Sequence, residues 1–151
     1  MRQGRTTSAG LWRFARDYAR AAALVANGTE DDFSDPMFFL YGRSIELSLK
    51  AFLVARGNSY AKLRNPPYGH NLSNLLKEAR RRRLGTVCKL APREVAVIQL
   101  LNIEYSTKNH EYIVTGTFRS PNVIGLHLTA NRLVRNLERF CVNAAYPGLR
   151  T

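Results

Sequence analysis

Arginine side chains are the groups in this sequence whose type and spacing best suit a chemical task. The 151 residues carry 23 Lys and Arg against 11 Asp and Glu, and 18 of the cations are arginines. A planar guanidinium forms paired hydrogen bonds to phosphate oxygens, which the ammonium of lysine cannot do. The net charge of +12 is therefore consistent with a polyanionic partner, although an arginine-rich codon bias of the genome would produce the same excess.

These arginines fall into three groups along the chain. In two groups they occupy positions i, i+3 and i+7, which share one face of a helix, and the third is a run of four. For any one group the alternative is a solvated face. We expect the second and third of the groups named below to bind nucleic acid. If the helices that carry the first and third groups are neighbours, we expect those two groups to form one continuous groove. The groups are Arg13, Arg16 and Arg20; Arg80, Arg81, Arg82 and Arg83; and Arg132, Arg135 and Arg139.

Other clusters of reactive residues do not predict a metal site or a cofactor. The acidic residues between positions 30 and 35 could hold a hard cation, but a solvated loop that complements a helix dipole explains them better. Histidines and cysteines are too scattered for a zinc site. Cys88 and Cys141 are expected to be buried thiols of a reducing compartment, which predicts a cytoplasmic protein.

A polar and aromatic cluster surrounds the end of the fourth predicted helix. Tyrosines combine an apolar ring with a polar hydroxyl, so such clusters line pockets and also wet dimer interfaces. Both interpretations stay open. The members are Glu104, Tyr105, Lys108, His110, Glu111 and Tyr112.

Hydrophobic periodicity predicts five helices that form a single all-α, up-and-down bundle over residues 1–151. The first helix places Leu11, Phe14 and Tyr18 inward. A broad apolar stripe makes the second helix central, and Glu46 and Lys50 have the i,i+4 spacing of an ion pair. The predicted helices cover about residues 8–27, 35–56, 71–84, 92–105 and 121–145, with a loop over 58–70.

The fifth predicted helix carries the argument for a homodimer. Ser120 is expected to cap it, with Pro121 at its first position. Its apolar residues alternate at spacings of four and three, as in a coiled-coil seam. This seam and the tyrosines near 105–112 exceed what one small bundle can cover. The conformation of residues 106–119 stays open between a loop and some extended backbone.

Two segments resemble the HEPN-like helical-bundle proteins. Residues 39–57 read FLYGRSIELSLKAFLVARG and residues 69–76 read GHNLSNLL. In this family a helix reading IELxLKAxLxxxG is followed, after a loop with Pro and Gly, by GHxLxxLL. The distinctive positions of the pattern fall on Glu46, Lys50, Gly69 and His70. The resemblance is good over residues 36–80 and extends loosely over the rest of the chain.

The resemblance implies an all-α bundle, often a homodimer, with a link to RNA or nucleotides in defence, toxin–antitoxin or regulatory settings. Many of these proteins are ribonucleases that need no metal and carry Arg-x(4–6)-His near a dimer interface. In such a pair the histidine moves a proton to or from the ribose 2′-OH, and the arginine holds the phosphate.

Arg64 and His70 have the spacing of that motif, with five residues between them, but not its usual context. Pro66 and Pro67 intervene, so the two side chains cannot share a helical face. The GHxL pattern favours a structural role for His70, which would order the helix start by bonding to backbone or to Glu46. Catalysis by Arg64 and His70 is the alternative.

The fifth predicted helix does not supply the motif either. Arg135 and Asn136 begin like a nuclease signature of the form RNxxxxH, but Cys141 occupies the histidine position.

The predicted function is therefore a HEPN-like, non-enzymatic RNA- or nucleotide-binding or regulatory protein of a prokaryotic defence or toxin–antitoxin system. The alternatives are a metal-independent HEPN endoribonuclease that uses Arg64 and His70, and a purely structural protein-interaction module. Expected partners are a second copy of the chain, RNA or a nucleotide, and a nucleotidyltransferase-type or other protein. No membrane partner is expected, because the uncharged apolar stretches are shorter than the ~20 residues that span a bilayer.

Overall fold

The computed structural model describes residues 5–28, 35–105 and 122–148, without the side chains of Asp35 and Glu104. Over these residues the regular structure is helical and contains no strand, which confirms the all-α prediction. The described ranges hold six α-helices where five were predicted, together with one turn of 3-10 helix at Leu84–Thr86. The α-helices are α1 (Ser8–Asn27), α2 (Asp35–Ala55), α3 (Tyr60–Leu63), α4 (Leu72–Arg81), α5 (Pro92–Tyr105) and α6 (Val123–Ala145).

The additional helix, α3, lies inside the segment that was predicted to be a loop. Ser59 caps it, since the Ser59 hydroxyl accepts a hydrogen bond from the Lys62 amide at 3.2 Å. Leu63 is fully buried and anchors this single turn in the core. So short a helix leaves no periodic signal in the sequence, and its packing rather than its propensity explains it.

The start of α4 matches the prediction, and its end does not. Asn71 caps its start, as predicted, by accepting a hydrogen bond from the Asn74 amide at 2.9 Å. The helix ends at Arg81 rather than near residue 84, because Arg83 adopts a left-handed conformation with φ of 65°.

The predicted start of the last helix was wrong. Asn122 rather than Ser120 caps α6, and the Asn122 carboxamide oxygen accepts from the Ile124 amide at 2.7 Å. Asparagine and serine are similarly good caps, so the sequence alone did not separate the two candidates. The acidic residues 30–32 and the segment 106–121, with Lys108, His110, Glu111 and Tyr112, lie outside the described residues.

Helix α2 is the centre of the bundle. Its residues 44–53 are all buried, and it packs against α1, α4, α5 and α6. The broad apolar stripe seen in the sequence therefore reflects contacts on several sides of one helix.

Helix α1 buries only part of the face predicted for it: Leu11 and Ala22 are buried, with Trp12, Ala15 and Ala19 beside them. Ala15 is fully buried, and its carbonyl accepts a hydrogen bond from the Ser44 hydroxyl of α2 at 2.7 Å. On the α6 side the Trp12 indole donates to the Val134 carbonyl at 2.8 Å. Phe14, predicted to be inward, exposes 61% of its surface, because the alanine face takes the core position.

Both cysteines lie in the core, as the sequence predicted. Cys88 and Cys141 are both buried and unbonded to each other, and burial raises the pKa of each thiol. None of the helices in the described ranges has the length and hydrophobicity that a bilayer-spanning segment needs.

Candidate functional site

One fully buried carboxylate, that of Glu46, accepts hydrogen bonds from four side chains. Its Oε1 accepts from the Tyr105 hydroxyl at 2.9 Å and from His70 Nδ1 at 2.6 Å. Its Oε2 accepts from Arg43 Nη1 at 2.6 Å and from Lys50 Nζ at 3.2 Å. We call these five residues the Glu46 cluster. It includes the predicted Glu46–Lys50 pair and one of the two contacts predicted for His70.

Three separate segments bring the cluster together. Arg43, Glu46 and Lys50 lie three and four residues apart on α2 and so share one face of that helix. His70 comes from the turn before α4, and Tyr105 is the last residue of α5. The cluster therefore connects the central helix to two later parts of the chain.

Two glycines make this arrangement sterically feasible. A Cβ atom at Gly42 would lie 2.5 Å from Cδ2 of Tyr105, so only glycine leaves room for the ring. Gly69 has φ of +48°, a left-handed conformation that places His70 at the start of α4 and that glycine adopts readily. The left-handed backbone at position 69 thus explains why a glycine precedes His70 in the sequence pattern.

Burial sets the electrostatics of the cluster. Burial, together with the neighbouring charges of Arg43 and Arg64, lowers the pKa of Lys50, and the Glu46 carboxylate opposes this effect. Burial and the charge of Glu46 raise the pKa of Tyr105 far above its usual value, so its hydroxyl stays protonated and donates. A buried carboxylate is tolerated only with such a set of charged and hydrogen-bonded partners.

His70 is the one cluster member with a large solvent-exposed surface. Its side chain is 52% exposed, and its ring meets the Tyr105 ring edge-on with centroids 6.2 Å apart. The contact with Glu46 uses Nδ1, so Nε2 is the ring nitrogen that this contact does not engage.

Arg64, the predicted partner of His70, lies just past the end of α3. It is exposed, and its guanidinium lies over the Tyr60 ring at 5.8 Å from the centroid. Arg64 and His70 are both in the non-helical stretch between α3 and α4, as the two prolines predicted. A catalytic role for the pair stays a prediction.

The run Arg80–Arg83 is partly neutralised by a carboxylate of the same helix. Glu78 receives two hydrogen bonds from Arg81, at 2.9 and 2.6 Å, and one from Arg82 at 3.3 Å. Arg80 and Arg83 are exposed. Two of the four arginines of this run, Arg81 and Arg82, are thus engaged within the protein.

Two arginines of the third group, Arg132 and Arg135, line an open groove between α5 and α6, which we call the α5–α6 groove. Its volume is about 790 Å³, and Arg93, Arg132 and Arg135 are on its walls. Glu94 is the one carboxylate among the described residues that line it. That carboxylate accepts from Arg132 Nε at 2.7 Å and from the Ala91 amide at 2.8 Å.

The position of Arg132 shows which neighbour helps to form this groove. Arg132 turns toward α5, whereas Val134, two residues later, faces Trp12 of α1. Helices α1 and α6 are neighbours, but Arg132 and Arg135 line the α5–α6 groove, to which no residue of α1 contributes, instead of the groove expected between α1 and α6. Arg139, one turn beyond Arg135, is exposed.

Sequence reasoning missed several members of both sites. Arg43 could have been found, since it stands three residues before Glu46 on the same helical face. Tyr105 was singled out only as a pocket or interface residue, because its contact with Glu46 spans 59 positions. Arg93 and Glu94 carried no distinguishing signal. Within the described ranges no three His, Cys, Asp or Glu side chains come together as a metal site would require.

Replacing Glu46 with glutamine should lower the free energy of unfolding by about 3–5 kcal/mol, because Lys50 would keep a buried charge without its carboxylate. Urea denaturation at neutral pH measures this. Adding Lys50→Met to Glu46→Gln should restore part of the loss, since it removes the unpaired ammonium. Glu138→Gln, at an exposed site of α6, is the control and should change stability by less than about 0.5 kcal/mol. Equal stability of Glu46→Gln and Glu138→Gln would contradict this account of the cluster.

Glu78 should make the stability of the protein depend on acid pH. The pKa of Glu78 is lowered from 4.5 to about 2, mainly by hydrogen bonds from Arg81. Burial opposes this shift, and the hydrogen bond from Arg82 adds to it. A carboxyl whose pKa is depressed by folding contributes stability above its unfolded pKa and loses it as the pH falls through the folded value. The melting temperature of Glu78→Gln should therefore be below wild type near neutral pH and converge with it between pH 4.5 and about 2. A gap that is constant over this pH range would contradict the ion pairing.

Comparison of the chain with protein-family models, with curated proteins and with solved structures finds no match.

Proposed function

We propose that this protein is a HEPN-like RNA- or nucleotide-binding protein that acts by binding rather than catalysis, in a prokaryotic defence or toxin–antitoxin type of system. The resemblance of residues 36–80 and the net charge of +12 support this. The observation that carries the proposal is the α5–α6 groove, where three arginines face one carboxylate that is already bound to Arg132.

The groove suits the chemistry of a nucleic-acid backbone. Guanidiniums hold phosphate oxygens through paired hydrogen bonds, and such contacts supply much of the affinity for RNA. Helix α6 carries three arginines at spacings of three and four residues, Arg132, Arg135 and Arg139, so they form a row of cations along one face of the helix. Asn131 and Asn136, also on the groove wall, carry amides of the kind that bond to ribose or base edges.

The proposal includes a homodimer, with a nucleotidyltransferase-type or other protein as a further partner. The seam of α6 does not itself call for a second copy, because Leu126, Leu133 and Leu137 are fully buried within the single chain. Ile124 and Leu128, near the start of α6, expose 67% and 51% of their surfaces and also line the α5–α6 groove. Two large apolar side chains on adjacent turns are the kind of surface that a second copy of the chain would cover.

A second candidate function is the metal-independent ribonuclease, and one contact favours it. Glu46 engages Nδ1 of His70 and leaves the half-exposed ring with Nε2 for proton transfer, while Arg64 lies in the same non-helical stretch. The same Glu46–His70 contact is explained without catalysis by the need of the buried carboxylate for donors.

Charge reversal in the groove tests the binding proposal. Arg93→Glu with Arg135→Glu should weaken binding of a single-stranded RNA at least about 100-fold, because two phosphate contacts become repulsions. Fluorescence anisotropy measures this. In wild type, ~4–6 phosphate contacts predict a slope of log K against log salt of about −3 to −4. Arg132 is left unchanged, since its reversal would set a second carboxylate against Glu94.

The matched control makes the same change of charge elsewhere. Arg13→Glu with Arg20→Glu reverses two exposed arginines of α1 and should weaken binding only slightly. Circular dichroism should show the same helicity in both double variants. If both weaken RNA binding equally, the arginines act as general positive charge and the groove is not the site.

An RNA-cleavage assay in the presence of a chelator separates the two candidate functions. The purified chain should leave RNA intact, and His70→Ala should instead lower the stability by about 0.5–2 kcal/mol through loss of the Glu46 contact. His70→Asn, which keeps an N–H donor, should recover part of this stability. Cleavage by wild type that His70→Ala abolishes, with an unchanged melting temperature, would establish the ribonuclease in place of the binding protein.

A further inference from the structure

One residue on the wall of the α5–α6 groove belongs to a type that changes its charge near neutral pH. His127 is exposed on α6 and lines the groove together with Arg93, Arg132 and Arg135. Histidine side chains gain a proton between about pH 8 and about pH 5, whereas guanidiniums stay charged throughout this range. A proton on His127 therefore adds a fourth cation to the three arginines on the groove wall.

The central helix holds the imidazole of His127 in place. Its Nδ1 lies 3.0 Å from the hydroxyl of Tyr41, and the two rings meet edge-on with centroids 6.2 Å apart. Tyr41 is buried in α2, and burial raises the pKa of its hydroxyl. Because a hydroxyl both donates and accepts, it bonds to Nδ1 of a neutral or of a protonated imidazole. The ring thus changes its charge without losing this anchor.

The amide of Asn131 makes an anion the better partner of the protonated ring. Its nitrogen donates to the His127 carbonyl at 2.8 Å and lies 3.2 Å from Nε2. This N–H group can serve an unprotonated Nε2 but not a protonated one, since both nitrogens of an imidazolium are donors. A phosphate oxygen supplies the acceptor that the protonated nitrogen then needs.

The charged groups on the groove wall favour an anion beside this ring as well. They come from two helices: Arg93 and Glu94 of α5, and Arg132 and Arg135 of α6. Glu94, the one carboxylate among the described lining residues, is already bonded to Arg132 at 2.7 Å. From α2 the ring meets only the uncharged hydroxyl of Tyr41. A phosphate bound between the arginines therefore stabilises a cation at position 127.

We propose that nucleic acid in the α5–α6 groove is bound more tightly at acid pH, because a phosphate contacts His127 and binding takes up a proton there. This inference rests on the RNA-binding function proposed above and adds the regulation of the same site. The imidazolium is present at the lower pH, so affinity rises as the pH falls. One further contact to a single strand corresponds to about fivefold tighter binding at about 0.1 M salt.

Fluorescence anisotropy with a labelled oligouridylate, whose bases stay neutral over this range, tests the inference. Wild type should bind about fivefold more tightly at about pH 5.5 than at about pH 8, with a slope of log K against log salt that is steeper by about 0.7. His127→Gln should bind equally at both pH values, at the level of wild type at the higher pH. His127→Arg should bind at both as tightly as wild type at the lower pH, since its charge is permanent.

A histidine placed outside the groove is the matched control. Gln99 is exposed on α5 and is not among the residues that line the groove. His127→Gln combined with Gln99→His should therefore be as insensitive to pH as His127→Gln alone. A pH dependence that persists in His127→Gln, or that Gln99→His restores, overturns this inference and leaves the RNA-binding proposal standing. An absence of RNA binding by wild type at both pH values overturns both proposals.

Discussion

A buried carboxylate that must be supplied with donors is the constraint on which this fold depends. Glu46 is fully buried in the central helix, and water cannot reach its charge. Its four partners come from α2, from the turn before α4 and from the end of α5, so satisfying one charge fixes where three segments lie. The glycines at 42 and 69 follow from the same requirement, since one makes room for a donor and the other turns the chain toward it.

Three of the five acidic side chains that the structure describes lie in the interior of the protein. Glu46, Glu78 and Glu94 are all buried, and each is bonded to arginine or lysine. Internal pairing therefore withdraws acidic groups from the surface, where exposed arginines remain. A carboxylate paired with one cation is neutral, so the excess charge of +12 is carried by cations outside such one-to-one pairs, which favours electrostatic attraction of anions.

Sequence reasoning reached the all-helical class and the central position of α2 because both depend on local periodicity. It also reached the contact between Glu46 and His70, through the resemblance of two short segments. It misplaced Phe14, since alanines carry little weight in a hydrophobic pattern even where they let two helices approach closely. It could not assign Tyr105 to Glu46 or Arg132 to Glu94, because these contacts join distant parts of the chain and depend on how the helices pack.

The hydrogen bond between Trp12 and Val134 gives the protein an intrinsic optical reporter. Trp12 is the single tryptophan of the chain, it is buried, and its indole N–H is bonded to the backbone of α6. Indole emission shifts to longer wavelength when the ring enters water, so the native fluorescence reports whether the first helix is docked on the last. Arg16, whose guanidinium lies 5.2 Å from the centroid of the same ring, places a cation beside this chromophore. Undocking of the first helix from the last can therefore be followed by light emission in the unlabelled protein.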